Sequence, residues 1–228
     1  MFADIISKAI DFGLRDVLEH FRGRPVRVVT MYPGTKSPIL GLNEISEGLK
    51  NHSDLGLDVF HAFSAEIVPE KQAYIERNFN PPLIFRDITE LTDAMKEEVP
   101  MATTAYGAKA VIPTNIHILI AGTSCVDFSK LNKHKKSLTD DGESAKTWEG
   151  VMAFVTVSRP RMVIIENVRD APWDRMIEEY ERIGYVTAGV LIDAKNYYVP
   201  QTRQRGYLIC FDQAGVERAE VRRLKKEV

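Results

Sequence analysis

Apolar residues recur at helical spacing through residues 2–21. Phe2, Ile5, Ile6, Ala9, Ile10, Leu14, Val17, Leu18 and Phe21 form one stripe, with Asp11, Arg15 and Glu19 off it. The pattern predicts a single amphipathic helix. Polar residues 22–25 end it, and a β-branched run at 26–31 leads into Tyr32-Pro33-Gly34, which reads as a buried strand entering a tight turn. Strand-like runs recur at 58–67, 83–88, 117–122 and 162–168, separated by helical candidates at 43–50, 70–79, 144–158 and 173–183. Strands joined through helices need crossover connections, so the sheet is expected to be mostly parallel with helices on both faces. Function then belongs at the carboxyl ends of the strands.

The rhythm changes near the end. Residues 185–192 and 206–211 are two strands whose connection is too short for a helical crossover, so they are expected to pair as an antiparallel hairpin. Residues 216–228 read as a charged helical tail. The expected organisation is an N-terminal amphipathic helix (1–25), one α/β domain (26–212) and the tail (213–228).

Composition narrows the function classes. The 228 residues are 44% hydrophobic and 27% charged, as in a globular chain with one good core. A formal charge of -2 excludes a polycation that holds nucleic acid by charge alone. Local basic patches remain: eight Lys or Arg against four acids from residue 195 onward, and Lys130, Lys133, Lys135 and Lys136 around His134. Two cysteines, Cys125 and Cys210, are too few for a disulfide framework and fit an intracellular setting. No apolar run reaches the roughly 20 residues of a membrane span, and no metal is called for.

Three segments carry chemistry. The strand at 117–121 delivers Gly122-Thr123-Ser124-Cys125-Val126-Asp127-Phe128-Ser129, displaying a cysteine where a nucleophile belongs. A buried, inert thiol is the competing reading. The strand at 162–165 ends in Glu166-Asn167-Val168, so a carboxylic acid reaches the same edge and can protonate a ring nitrogen while sulfur adds to the ring. The hairpin connection supplies Gln201-Thr202-Arg203-Gln204-Arg205. Its two arginines are expected on opposite faces, one holding a carbonyl or phosphate oxygen and the other bracing the loop.

Taken together, these segments resemble the cytosine-5 DNA methyltransferases. Ser124-Cys125-Val126-Asp127-Phe128-Ser129 is similar to the family's Pro-Cys-x-x-Phe-Ser loop, Glu166-Asn167-Val168 to its Glu-Asn-Val motif, and the hairpin segment to Gln-x-Arg-x-Arg. The order is the family's, and the wording of 122–132 and 195–206 is most like the fungal-type branch. The resemblance implies a Rossmann-like class I methyltransferase fold that uses S-adenosylmethionine. It implies that Cys125 attacks C6 of cytosine, Glu166 engages N3 and the exocyclic amine, and Arg203 steadies the O2 side, with Arg205 in the same catalytic set. It implies cofactor contacts from Tyr32, Gly34 and Thr35 in the first turn, Glu66 on the ribose, Asp87 and Ile88 beside the adenine, and Ser124. DNA is the implied partner, in a nuclear or otherwise intracellular protein, with the target base flipped out of its stack. Phe128 and residues 130–136 are expected to form a mobile lid.

Departures from the family pattern shape further expectations. The first turn keeps one glycine where the family has two, and Ser124 stands where the family has proline. Residues 213–228 leave no room for a target-recognition domain, so target selection is expected to be absent, minimal or supplied by a partner chain. Residues 2–21 are expected to pack where the family's terminal helix completes the cofactor pocket. Two alternatives stand beside DNA methylation: a weak or inactive module that regulates a partner, and methylation of cytosine in RNA.

Overall fold

The computed structural model describes residues 2–21, 24–32, 34, 37–128, 138, 142–197 and 200–215. The lid segment 130–136, Thr35 and the tail 216–228 lie outside the described residues.

The apolar stripe of residues 2–21 forms two helices where one was expected, α1 (Phe2–Asp11) and α2 (Leu14–His20). Between them Gly13 takes a φ of 94°, a left-handed conformation that glycine adopts without steric penalty. The bend lets Ile6 of α1 and Leu18 of α2 close on the same residue, Leu49.

Val26–Met31 (β1) is buried along almost its whole length, as its β-branched run requires. α3 (Ser37–His52) crosses over to β2 (Val59–Ala65), which pairs parallel to β1, and α4 (Pro69–Phe79) leads to β3 (Ile84–Phe85), parallel to β2. The expected strand at 83–88 is cut short. The Asp87 carboxylate accepts from the Thr89 amide at 2.9 Å and turns the chain into a 3-10 turn at Ile88–Glu90, followed by α5 (Leu91–Ala94). A small hairpin of β4 (Met101–Thr103) and β5 (Lys109–Val111) comes next, which the periodicity does not predict. Three residues per strand are too few for a period to register. Glu90 anchors this hairpin by accepting from the Thr103 amide and hydroxyl and from Lys109.

β6 (Ile118–Gly122), α6 (Glu143–Ser158), β7 (Met162–Val168), α7 (Trp173–Arg182), β8 (Tyr185–Asp193) and β9 (Gln204–Asp212) complete the main sheet, in the order β3-β2-β1-β6-β7-β9-β8. Only β9 runs against the rest, pairing antiparallel with both β7 and β8. The expected closing hairpin is present, and β9 is threaded between its partner and β7. The turn from Asp193 to Gln204 therefore returns to the edge where β1, β2, β6 and β7 end. The point where strand order reverses lies between β1 and β6, which is where an open α/β sheet opens a crevice.

Aromatic side chains fill the main core. Phe63 meets Phe85 and Phe154 edge-on at 5.2 and 5.6 Å, and Tyr180 meets Trp148 and Tyr185 at 5.7 and 5.5 Å. Gly150 lets α6 approach the 3-10 turn, because a Cβ there would lie 2.4 Å from the Ile88 carbonyl oxygen.

The N-terminal helices do not complete a pocket at the strand ends. Ile6, Ile10, Leu14 and Leu18 pack with Leu49, Leu55 and Leu57, in the last turn of α3 and the segment that enters β2. These residues belong to the edge where strands begin. A groove of about 460 Å³ lined in part by Arg15, Phe21, Lys50 and Asp58 lies at that edge too, remote from the chemistry-bearing residues.

Candidate active site

The carboxyl edge is built strand by strand. β1 is followed by Tyr32, a non-glycine residue at φ 52°, and Gly34 lies two residues on at φ 54°. Left-handed geometry at a residue with a side chain is rare and costs energy, so the turn is held by its surroundings. Its amide donates to the Ala65 carbonyl at 2.8 Å, which fixes the turn to the end of β2. Glu66 follows β2 and is 2% exposed, with one carboxylate oxygen accepting from the Val68 amide at 3.1 Å. Asp87 follows β3 and spends one oxygen on the Thr89 amide and hydroxyl. Burial pushes the Tyr32 hydroxyl up, and the charges of Asp87, Glu143 and Glu66 push it further. The charges of three acids from separate segments thus act on one phenol.

Ile88 does not share this placement. Its side chain is 1% exposed and belongs to the main core, so any contact it makes at the edge is through its backbone.

Cys125 follows β6 by three residues and is partly exposed. Cys210, in the middle of β9, is fully buried, and burial pushes its thiol up. The two thiols therefore divide between a displayed group and an inert one, as low-dielectric surroundings disfavour a thiolate. The Cys125 carbonyl accepts from the Phe128 amide at 3.1 Å, closing a turn. Phe128 is 5% exposed and packed in the main core. That corrects its expected place in a lid, because a phenyl ring buried this far anchors the loop.

Glu166 lies opposite Gly122 on β6 and opposite Tyr207 on β9. Its Oε1 accepts from Arg205 Nε at 2.9 Å. Its Oε2 lies 3.4 Å from where a Cβ on Gly122 would sit, and the Tyr32 carbonyl lies 3.2 Å from the same point. A side chain at 122 would press on the Tyr32 carbonyl, so glycine there leaves room for the turn that follows β1. Asn167 is 1% exposed and donates to the Thr123 hydroxyl at 2.8 Å, tying the loop that carries the thiol to the strand that carries the acid.

The arginines depart from expectation. Side chains two apart on an extended chain share a face, so strand alternation gives no reason to expect opposite faces. Arg205 braces Glu166, while Arg203 is exposed and held through its amide, which donates to Asp193 at 3.2 Å. Burial opposes the charge on Asp193, and the Lys195 and Arg203 amides offset it and hold the carboxyl below its usual range.

The Ser124 hydroxyl donates to Glu143 at 2.8 Å. Glu143, Asn167 and Tyr207 are site residues that sequence reasoning left without a role. An acid in the first turn of the helix after the thiol loop was the available signal for Glu143.

A mostly parallel, doubly wound sheet closed by an antiparallel hairpin is the fold of the Rossmann-like class I methyltransferases. Residues 39–227 match the model of the C-5 cytosine-specific DNA methylase family, and the chain belongs to that family. It is 44% identical over 208 residues to the DNA (cytosine-5-)-methyltransferase DMT5 of Cryptococcus neoformans var. grubii, covering 91% of this chain and 8% of that one. With DMT5 of Verticillium dahliae the identity is 35% over 260 residues, covering 92% of this chain and 11% of the relative. The chain thus spans about a tenth of the length of these relatives. Among solved structures, the S. pombe Dnmt2 methyltransferase shares the fold, with a TM-score of 0.55 at 16% identity, covering 84% of this chain and 52% of that one.

Proposed function

We propose that this chain is the catalytic region of an S-adenosylmethionine-dependent enzyme that methylates C5 of cytosine in DNA. The observation that carries the reading is the convergence of Cys125, Glu166 and Arg205 on one sheet edge, with Glu166 Oε1 2.9 Å from Arg205 Nε. Family membership supports it, as do the two similar DMT5 proteins.

The cofactor side suits the group the family uses. Glu66 and Asp87 each engage one carboxylate oxygen with the chain, and among the described residues the other oxygen of each takes no hydrogen bond. Two acceptors at successive strand ends fit a ligand with ribose hydroxyls and an adenine amine. Glu66 is assigned to the ribose and Asp87 to the adenine, with Tyr32 and Gly34 lining the methionine end. S-adenosylmethionine, when bound, supplies an electrophilic methyl group.

The chain's own residues act on the pyrimidine. The Cys125 thiolate bonds to C6 while Glu166 delivers a proton to N3, which leaves C5 nucleophilic. Arg205 holds the Glu166 carboxyl in place, and Arg203 steadies the O2 side. Once C5 has accepted the methyl group, loss of the C5 proton to a base restores the C5–C6 double bond and expels the thiolate, and N3 returns its proton to Glu166. The target base must leave its stack, at a cost of a few kcal/mol. With a formal charge of -2, the chain is assigned a partner or further segment that grips the duplex. The similarity to fungal DMT5 proteins supports a nuclear location.

The test is a trapping experiment with 5-fluorocytosine, whose C5 fluorine blocks release. The chain is incubated with S-adenosylmethionine and fluorinated DNA or RNA oligonucleotides. A covalent adduct on DNA that disappears in Cys125→Ala is the expected result. Cofactor binding with no adduct would favour a regulatory module, and an adduct on RNA alone would move the substrate.

A further inference from the structure

We infer that Ser124 and Glu143 are a positioning pair for the Cys125 thiol, deepening the proposed function and resting on it. The loop after β6 meets the first turn of α6 at two points on either side of Cys125 and Val126. At one, the Ser124 hydroxyl donates to Glu143 Oε1 at 2.8 Å. At the other, Asp127 and Ser144 bond reciprocally: the Asp127 amide donates to the Ser144 hydroxyl at 3.1 Å, and the Ser144 amide donates to Asp127 Oδ2 at 2.8 Å. Glu143 and Ser144 are consecutive, so one turn of helix grips both ends of the segment that displays the sulfur.

The two grips differ in kind. Asp127 and Ser144 are 6% and 1% exposed, and their exchange satisfies an amide that the start of α6 would otherwise leave open. That contact is structural and stabilises the helix end. The Ser124–Glu143 bond lies at the solvent-facing side, where a hydrogen bond contributes little to stability. What it controls is direction. The Ser124 hydroxyl also lies 3.5 Å from the Val126 amide, a long contact that spans Cys125, so fixing this hydroxyl restricts the backbone from which the thiol projects. Small errors in the placement of a nucleophile lower rate far more than they lower stability.

The role needs an acceptor at 143, and the charge is secondary. Glu143→Gln keeps a carbonyl oxygen for the Ser124 hydroxyl, whereas Glu143→Ala removes it. The experiment compares Ser124→Ala, Glu143→Ala, the double variant and Glu143→Gln by three measurements. These are the rate of adduct formation with fluorinated DNA at saturating cofactor, the cofactor dissociation constant by calorimetry, and amide hydrogen exchange at residues 126–128.

Each alanine variant is expected to slow adduct formation about tenfold and to speed exchange at residues 126–128, with cofactor affinity within about twofold of the parent. The double variant should be no worse than either single one, because both remove the same bond. Glu143→Gln should recover most of the rate. Additive effects, a Gln variant as slow as the Ala variant, or faster exchange with an unchanged adduct rate would each overturn the positioning role. If the parent chain forms no adduct, the proposed function fails. The pair is then judged on exchange alone, where non-additive acceleration supports it and additive or absent acceleration overturns it.

Discussion

At the scale of single residues, the two cysteines show how position decides chemistry. Cys125 stands in a loop at the end of β6 and is partly exposed, while Cys210 is enclosed in β9 and its thiol is pushed up by burial. Alkylation of the folded protein with iodoacetamide is therefore expected to place one label, on Cys125. A second label should appear only with denaturant, which mass spectrometry of the two peptides would show. Equal labelling of both in the native state would contradict the assignment. Cys125, Glu166 and the two arginines were legible because each belongs to a short, recognisable run. Glu143 was not, because its meaning comes from the Ser124 hydroxyl whose hydrogen bond it accepts, and no local pattern reports that.

At the scale of elements, the long ones followed their periodicity and the short ones did not. The hairpin of β4 and β5 is held by Glu90, which burial would raise but which the Thr103 hydroxyl, Lys109, the Thr103 amide and Arg86 together hold down at about 2. A carboxyl lowered in the folded state contributes stability that is complete above its ordinary value of 4.5 and is lost as pH falls toward about 2. Glu90→Gln should thus destabilise the protein at neutral pH, and the gap should close by about pH 2 in chemical denaturation curves taken across that range. A gap that stayed constant with pH would show that the charge is not what matters.

A second element-scale device is Gly206 on β9, where an added Cβ would meet the Trp173 ring at 2.2 Å. Gly206→Ala must displace the indole that caps the strand. Overpacking of this kind typically costs about 1–3 kcal/mol, and a change in tryptophan fluorescence should accompany the lower melting temperature. Periodicity shows a glycine at this point in a strand, but the ring that requires it comes from α7.

At the scale of the whole molecule, the sheet separates a chemical edge from a structural one. α1 and α2 pack on Leu49, Leu55 and Leu57 beside the strand starts, so their loss should be felt as stability. Leu18 is 7% exposed, and Leu18→Ala is expected to cost about 2–5 kcal/mol while leaving cofactor affinity unchanged by calorimetry. A fall in affinity without a fall in stability would return these helices to the cofactor pocket. The amino-acid sequence alone determined the parallel sheet, the closing hairpin and the motifs that carry thiol, acid and guanidinium, because each is written in a local period or a short run. Only the tertiary structure decided how those groups meet. Threading β9 between β7 and β8 brings Arg205 onto Glu166, and a bare Gly122 leaves room for the Tyr32 carbonyl. The bend at Gly13 sends the N-terminal helices to the far edge. These are contacts between residues distant along the chain, and their energies depend on neighbours that no window of sequence contains.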